Sequence, residues 1–408
     1  MKVSVIGLGK LGLPMAAFYA SKGHNVVGLD VSEEMIRRLC LGECPIDETD
    51  LEPLLSRQHI NFTTSFADVT DSEIVFIIVP TPSLPNGRFS NEYILNVLLC
   101  LDAYEGLVVI TSTVMPGSCE REFKSLLPKA KLTYNPEFIA LGSVLRNLEH
   151  PDAILIGEDN EEAGDKLESF HRTLYDVPIC RMSLWNAELA KISLNVFITT
   201  KISLANTVAE VCERIPKGNV EDIVHFLGLD SRIGPKFMVS GLGFGGPCFP
   251  RDNEAFISFA EELKTNHQLQ SATDEFNDMH YRDIAARAHE LCKGDTVSIL
   301  GLTYKPFTSV VEESRALRVA EMLGKYFKVK VYDPQGIPNA KKELSGVEYC
   351  DSVSECLKDS DLCIIATPWP EFADLDLKGM TVLDCWRILK DTKGVNYHAV
   401  GVNDVSSC

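Results

Sequence analysis

The chain has 408 residues, 45% of them hydrophobic and 24% charged, with a formal net charge of −19. That length holds two or three domains with full cores, and the acidic balance excludes a nucleic-acid surface or attachment to an anionic membrane as the main role. No apolar run reaches the length of a membrane span and no signal peptide precedes the first apolar strand, so a cytoplasmic protein is expected. Thirteen cysteines are present, with no CxxC pair and no His/Cys cluster, so neither a disulfide framework nor a metal site is expected. Most read as reduced, buried small hydrophobes, with Cys100, Cys212 and Cys363 each inside an apolar run.

The N-terminal stretch KVSVIGLGKLGLPMAAFYASKGHNVVGLD combines an apolar strand at residues 3–6, the glycines Gly7, Gly9 and Gly12, a helix-like run, and a second strand, Val26–Leu29, ending in Asp30. Strand, glycine turn, helix, strand and acidic residue in this order predict a dinucleotide site. Gly7 permits the tight turn, Gly9 lets the backbone approach a pyrophosphate, and Gly12 allows close helix–strand packing. Asp30 accepts from ribose hydroxyls, which favours NAD over NADP. Further apolar strands are read at Ile74–Val79 and Val108–Thr111, each followed by a corner, PTPS and STVMPGS. Ligands of doubly wound sheets lie at the carboxyl ends of strands, so Thr81 and Thr113 are expected to face the nicotinamide half of the cofactor. The segment TYNPEF places Glu137 at another such edge.

Residues 186–215 keep apolar positions at helical spacing without Gly or Pro, which predicts a helix of some thirty residues and, through its length, a homodimer or higher homo-oligomer. Lys191 and Asn195 stand four apart and so share one helix face. The last third repeats the first: VSILGL echoes VSVIGL, VKVYD ending in Asp333 echoes VVGLD, and DSDLCII echoes DSEIVFI. A second Rossmann-type domain is predicted, without the glycine cradle and with Lys305 near the end of its first strand. The expected fold class is α/β, two doubly wound parallel-sheet domains joined by a long central helix. The expected boundaries are 1–181 for the NAD-binding domain, 182–293 for a helical dimerisation domain carrying the catalytic loop, and 294–408 for a domain binding a nucleotide or phosphate ligand.

Between these domains lies GFGGPCFPRD, residues 243–252, where Cys248 sits among glycines and prolines that discourage regular structure. A thiolate beside a nicotinamide site adds to an aldehyde produced by a first oxidation. The thiohemiacetal loses a second hydride, and water cleaves the resulting thioester, so one pocket takes an alcohol to a carboxylate. Asp252 is placed to orient a lysine or a water, and Arg251 supplies positive potential that favours a thiolate and anionic ligands.

The stretches GLGKLGLP, VPTP, STVMPG, NPEF, AELAKISLN, RIGPKF, GFGGPCFPRD and GLTYKP, in this order over nearly the whole chain, resemble those of the UDP-glucose/GDP-mannose dehydrogenase family. The resemblance implies oxidation of a nucleotide-sugar C6 alcohol to the uronic acid with two NAD+, with UDP-glucose the leading substrate and a UDP-N-acetylhexosamine or GDP-mannose the alternative. It implies Cys248 as nucleophile, Lys191 as oxyanion stabiliser, Asn195 as a sugar- and water-orienting group, Asp252 as its loop aspartate, and Glu137 as base for thioester hydrolysis. It further implies Arg232, which would reach the sugar across a dimer interface, together with Phe138, Gly245 and Lys305 at the substrate. Gly7, Gly9, Leu11, Gly12, Asp30, Thr81, Thr113 and Arg251 fall on the cofactor side. Whether Lys191 or a water takes the first proton stays open.

Departures from the family pattern are local. Met35 replaces a usual lysine, Arg251 a usual lysine, and Ala140-Leu141 a usual Arg-Glu pair. Glu312 stands where an arginine commonly contacts the cofactor pyrophosphate, and Arg315 replaces a proline three residues later; compensation by Arg315 from this shifted position is expected. A β-hydroxyacid dehydrogenase would need no loop cysteine and no second Rossmann domain, while a non-catalytic nucleotide-sugar-binding paralogue would not need Cys248, Lys191, Asn195 and Asp252 together.

Overall fold

The computed structural model describes residues 1–139 and 142–403, so the Ala140-Leu141 departure lies outside the described residues. The chain divides into two compact units, Met1–Ser193 and the part from Leu194 onward.

The first unit is built on eight strands: β1 (Lys2–Ile6), β2 (Asn25–Leu29), β3 (Ile60–Thr63), β4 (Ile74–Ile77), β5 (Leu107–Ile110), β6 (Lys131–Tyr134), β7 (Ile154–Glu158) and β8 (Ile179–Ser183). They form one sheet in the order β3-β2-β1-β4-β5-β6-β7-β8, parallel except where β7 runs against β6. The period-2 pattern explains why the strands are apolar throughout. Val3, Val5, Val26, Ile74, Phe76, Leu107 and Val109 pack into the core on one face, and Ile6, Val27, Val75, Ile77, Val108 and Ile110 into the core on the other. Strand β4 stops at Ile77 rather than running to Val79, because the Ser112 hydroxyl takes both the Val79 N–H (2.9 Å) and its carbonyl (2.7 Å). The chain order reverses between β1 and β4, the switch point where such sheets open a crevice.

The second unit repeats this plan. Its strands β9 (Thr296–Leu300), β10 (Lys328–Tyr332), β11 (Glu348–Tyr349), β12 (Leu362–Ile365), β13 (Thr381–Asp384) and β14 (Asn396–Ala399) form an all-parallel sheet in the order β11-β10-β9-β12-β13-β14. The fold is therefore α/β with two doubly wound sheets, as the sequence repeat implied. A helix of 29 residues, Leu184–Cys212, lies between them in the chain.

The repeat extends to backbone detail. Gly7 (φ +94°) donates to the Leu29 carbonyl at 2.8 Å, and Gly301 (φ +95°) donates to the Tyr332 carbonyl at 2.8 Å. Leu8 N–H reaches Asp30 at 2.8 Å, and Leu302 N–H reaches Asp333 at 2.7 Å. The two acidic residues then diverge. Asp333 is 2% exposed and also accepts from the N–H groups of Thr303, Gln335 and Gly336, the Thr303 hydroxyl and the Trp369 indole. It fastens the turn after β9 instead of facing a ribose.

One expectation fails among the cysteines. Cys212 and Cys363 are buried, but Cys100 is exposed. The helix Glu92–Leu99 buries Ile94, Val97 and Leu98, and at 3.6 residues per turn Cys100, its C-cap, falls outside that buried stripe. An apolar run of sequence does not separate the two faces of a helix.

Asp333→Ala strands several buried donors at once and is expected to lower the unfolding temperature of the second unit by at least about 6 °C. Thermal unfolding checks this, and an unchanged transition contradicts the role given to Asp333.

Candidate active site

The glycine turn after β1 is shaped by close approach. A Cβ on Gly12 would lie 1.8 Å from the Gly7 carbonyl oxygen, and one on Gly7 would lie 2.4 Å from the Ile78 carbonyl oxygen. At Gly9 the same construction meets nothing within 4 Å, so the turn keeps open space beside its backbone. Asp30, at the end of β2, is partly buried and takes one N–H on each carboxylate oxygen, from Leu8 at 2.8 Å and Ser32 at 2.9 Å. Each oxygen retains a lone pair for a further donor. An open glycine turn, the N-terminus of the helix Gly12–Ser21 begun at Leu11, and an acceptor at the next strand end fit a dinucleotide. Ser32 caps the following helix through Met35 N–H, and the Met35 side chain packs on the core, so that position offers no cation.

The corners after β4 and β5 are joined to each other. Thr81 is buried and its hydroxyl donates to the Thr113 carbonyl at 2.7 Å, so the structure brings these two predicted residues together. The second corner is held by Glu188, a residue the sequence reading passed over. Its fully buried carboxylate accepts from the N–H groups of Gly117 and Cys119, and burial pushes the carboxyl upward while those donors pull it back. The available signal was its place in AELAKISLN, three residues before Lys191.

Lys191 and Glu137 also come together. Lys191 is 9% exposed, donates to the Glu137 backbone carbonyl at 2.7 Å, and lies 4.7 Å from the Phe138 ring centre. The Glu137 carboxyl is desolvated by the protein around it, which pushes it up to about 7 against the opposing pull of Lys191. The preceding Asn135 is pinned between the His171 ring at 2.8 Å and the Leu155 carbonyl at 2.9 Å, which fixes the start of this corner.

In the second unit, Cys248 is an exposed thiol at the N-cap of the helix Phe249–Glu262, with Pro250 in its first turn. Partial positive charge at a helix N-terminus stabilises a thiolate formed there. Asp252, 2% exposed, accepts from the Asn195 amide at 2.6 Å, and one turn along, Thr199 donates to Asn253 at 2.9 Å. The cysteine helix is thus fastened to the long helix by two adjacent bonds. Asp252 therefore orients Asn195, and Arg251 lies 3.9 Å from its other oxygen. The loop before the cysteine is glycine by necessity: a Cβ on Gly245 would lie 2.1 Å from the Glu313 carbonyl oxygen, and one on Gly246 would lie 2.6 Å from the Tyr304 ring. Burial first, and the nearby Cys248, hold the Tyr304 phenol above its ordinary range; this neighbour of the thiol was legible only as part of GLTYKP. Lys305 lies 5.9 Å from the same ring. Arg232 stands apart, 86% exposed in its side chain and paired with Asp230. Among the described residues no group of three or more His, Cys, Asp or Glu is arranged to hold a metal ion.

Three family models match along the chain, those of the UDP-glucose/GDP-mannose dehydrogenase family: its NAD binding domain over residues 1–175, its central domain over 185–279 and its UDP binding domain over 298–395. The chain belongs to the UDP-glucose/GDP-mannose dehydrogenase family. A UDP-glucose 6-dehydrogenase of Rickettsia felis is 33% identical, with 98% of this chain and 96% of that one covered. UDP-glucose 6-dehydrogenase TuaD of Bacillus subtilis is 32% identical over 98% and 93%. Among solved structures, a UDP-glucose dehydrogenase from Pyrobaculum islandicum superimposes with a TM-score of 0.92 at 33% identity, covering 98% of each chain. A UDP-D-ManNAc dehydrogenase from Pyrococcus horikoshii does so with 0.84 at 25%, covering 99% of this chain and 100% of that one. Membership makes the protein an NAD-dependent oxidoreductase of the nucleotide-sugar 6-dehydrogenase family, and the turn after β1 fits that cofactor.

Asp30→Asn keeps one of the two backbone acceptors and loses the charge that strengthens bonds to ribose hydroxyls. NAD is expected to bind about tenfold more weakly, with smaller discrimination against NADP. Titration calorimetry checks both values; unchanged affinity for both nucleotides removes Asp30 from the cofactor site.

Proposed function

We propose that the protein oxidises UDP-glucose to UDP-glucuronate, a four-electron conversion at C6 that runs through a covalent bond to Cys248. The observation that carries this reading is an exposed thiol at a helix N-terminus, after a loop whose glycines have no room for a Cβ, next to a buried Asp252–Asn195 pair. Solvent exposure gives the sulfur access to an electrophile, and the helix end favours its anionic form. UDP-glucose is preferred over an N-acetylhexosamine because the relatives bearing its name are the more similar at 33% identity, against 25% for the UDP-D-ManNAc dehydrogenase.

NAD, when bound, supplies a hydride acceptor, and two molecules are consumed per sugar. As hydride leaves C6, the hydroxyl proton passes to Lys191 or to a water, and this chain's residues do the rest. The Cys248 sulfur forms a bond to the aldehyde carbon left by the first oxidation, and the oxygen becomes the hydroxyl of a thiohemiacetal. The Lys191 ammonium stabilises negative charge on that oxygen. After the second oxidation the carbon is held as a thioester. Glu137 takes a proton from water, which adds to the carbonyl and releases the Cys248 thiol and the carboxylate. Asn195, oriented by Asp252, holds the sugar and the attacking water. Phe138, Gly245 and Lys305 contact the substrate and Arg232 reaches the sugar of the second copy across the dimer interface, while Leu11, Thr113 and Arg251 complete the cofactor side. The functional segments are 1–181, 182–293 and 294–408, and a reactive thiol of this kind suits the reducing cytoplasm.

The active form is a homodimer. Along the long helix Phe197, Leu204 and Val211 recur every seven residues and are 67%, 54% and 55% exposed, with Leu194 one turn earlier. Phe226 and Leu229 on the helix Val220–Leu229 are 72% and 70% exposed. Apolar residues at heptad spacing form a seam that a second copy of the same helix covers.

Incubation with NAD+ and a panel of nucleotide sugars is expected to yield two NADH per UDP-glucose, followed by absorbance. One NADH without carboxylate rejects the thioester step, and turnover confined to another sugar rejects the substrate. Hydrolysis requires the Glu137 carboxylate, so uronate formation is expected to fall as pH drops through about 7. Glu137→Gln is expected to slow it by about 10²-fold or more and abolish that limb of the profile; an unaltered profile removes Glu137 from the reaction. Light scattering is expected to give twice the chain mass for the wild type and the single-chain mass for Phe197→Asp, while a dimeric Phe197→Asp rejects the seam.

A further inference from the structure

We propose that Arg315 is a positioning residue for the Cys248 loop and makes no contact with the cofactor pyrophosphate. The sequence places an acidic residue, Glu312, at a position where the family commonly has a cofactor-contacting arginine, and offers Arg315 as its replacement. The structure assigns both residues to the loop. Gly246 N–H donates to the Glu312 backbone carbonyl at 3.1 Å, so Glu312 acts there through its main chain. Arg315, with only 10% of its side chain exposed, donates from Nε to the Phe244 carbonyl at 3.1 Å. Its two other nitrogens lie 3.3 Å from Asp278 and 3.5 Å from Glu313, and its guanidinium sits 5.3 Å from the Tyr281 ring centre. Each of the three guanidinium nitrogens thus has an oxygen neighbour within the second unit, and an aromatic ring lies beside the group.

Phe244 is the point on which these contacts converge. Asn277 accepts from its N–H at 2.9 Å and donates to its carbonyl at 3.0 Å, so the carbonyl receives two donors, one from Asn277 and one from Arg315. Its ring lies edge-on to Phe249, the residue after the cysteine. The neighbouring glycines leave the loop no slack: Gly243 has φ +104° and its Cβ would lie 2.4 Å from the Asn277 amide oxygen, while Gly245 abuts the Glu313 carbonyl. A planar fork that bonds one carbonyl while pairing with two carboxylates fixes a backbone direction in a way that a lysine's single ammonium does not. Arg315 therefore sets the path of residues 243–247 and, through it, the position of Cys248.

The consequence for turnover rests on Cys248 being the nucleophile; the consequence for the loop does not. Arg315→Met keeps an unbranched stem without the guanidinium, and Arg315→Lys keeps the charge. Both are compared with the wild type in steady-state kinetics and in peptide hydrogen exchange. Uronate formation is expected to lose about tenfold or more in kcat for Arg315→Met, with KM for NAD within about twofold. Amide exchange in residues 243–250 is expected to rise about tenfold with β9 unchanged, and Arg315→Lys to restore only part of either effect. A tenfold rise in KM for NAD with kcat and loop exchange unchanged overturns the proposal and makes Arg315 a cofactor contact. Should Cys248→Ala keep full turnover, the nucleophile reading fails, and the exchange comparison still decides the role of Arg315.

Discussion

The structure depends on three glycines packed too closely against their neighbours to carry a side chain. From Gly243 to Gly246 the chain runs against Asn277, the Glu313 carbonyl and the Tyr304 ring, and a single added carbon at any of these glycines would overlap an atom. That contact determines where the helix Phe249–Glu262 begins, and the helix start determines where the Cys248 sulfur stands. The same helix is then tied to the long helix through Asn195–Asp252 and Thr199–Asn253. Position and electrostatic environment of the thiol follow from one packing constraint, which is why a cysteine tolerates neighbours that would otherwise make poor structure.

The two sheets show how a repeated plan takes on different work. Both keep a left-handed glycine after the first strand and an acidic residue after the second, and both draw the turn's N–H toward that acid. At Asp30 the turn stays open and the carboxylate retains free lone pairs. At Asp333 backbone, hydroxyl and indole donors close over the carboxylate, so the position serves stability. The loss of the second and third glycines in GLTYKP accompanies this change. A domain matched by a UDP binding model therefore does not hold its ligand by the glycine-turn geometry of the first unit.

Much of this was legible in the sequence because strand and helix periods report burial directly. The apolar runs of β1, β4, β5, β9 and β12 are buried on both faces, and the long apolar helix without Gly or Pro is one helix of 29 residues. Gly7, Asp30, Thr81 and Cys248 stand where a strand ends or a helix begins, places where backbone groups lack partners, while Lys191 and Asn195 lie inside the long helix. What escaped the reading depends on contacts distant in sequence. The burial of Glu188 under the Gly117 corner and the convergence of Asn277 and Arg315 on Phe244 join segments tens of residues apart, and no local pattern encodes them. Cys100 shows the converse: composition marked it as core, while the helix phase turned it outward.

The central claim is that sulfur joins the sugar carbon between the two oxidations. Acid quenching of the enzyme during turnover of UDP-glucose and NAD+, followed by peptide mass spectrometry, tests it most directly. The account predicts a sugar-nucleotide adduct on the peptide containing Cys248, absent when NAD+ is omitted. Complete conversion to uronate with that peptide unmodified at every quench time, or an adduct on another residue, would contradict it.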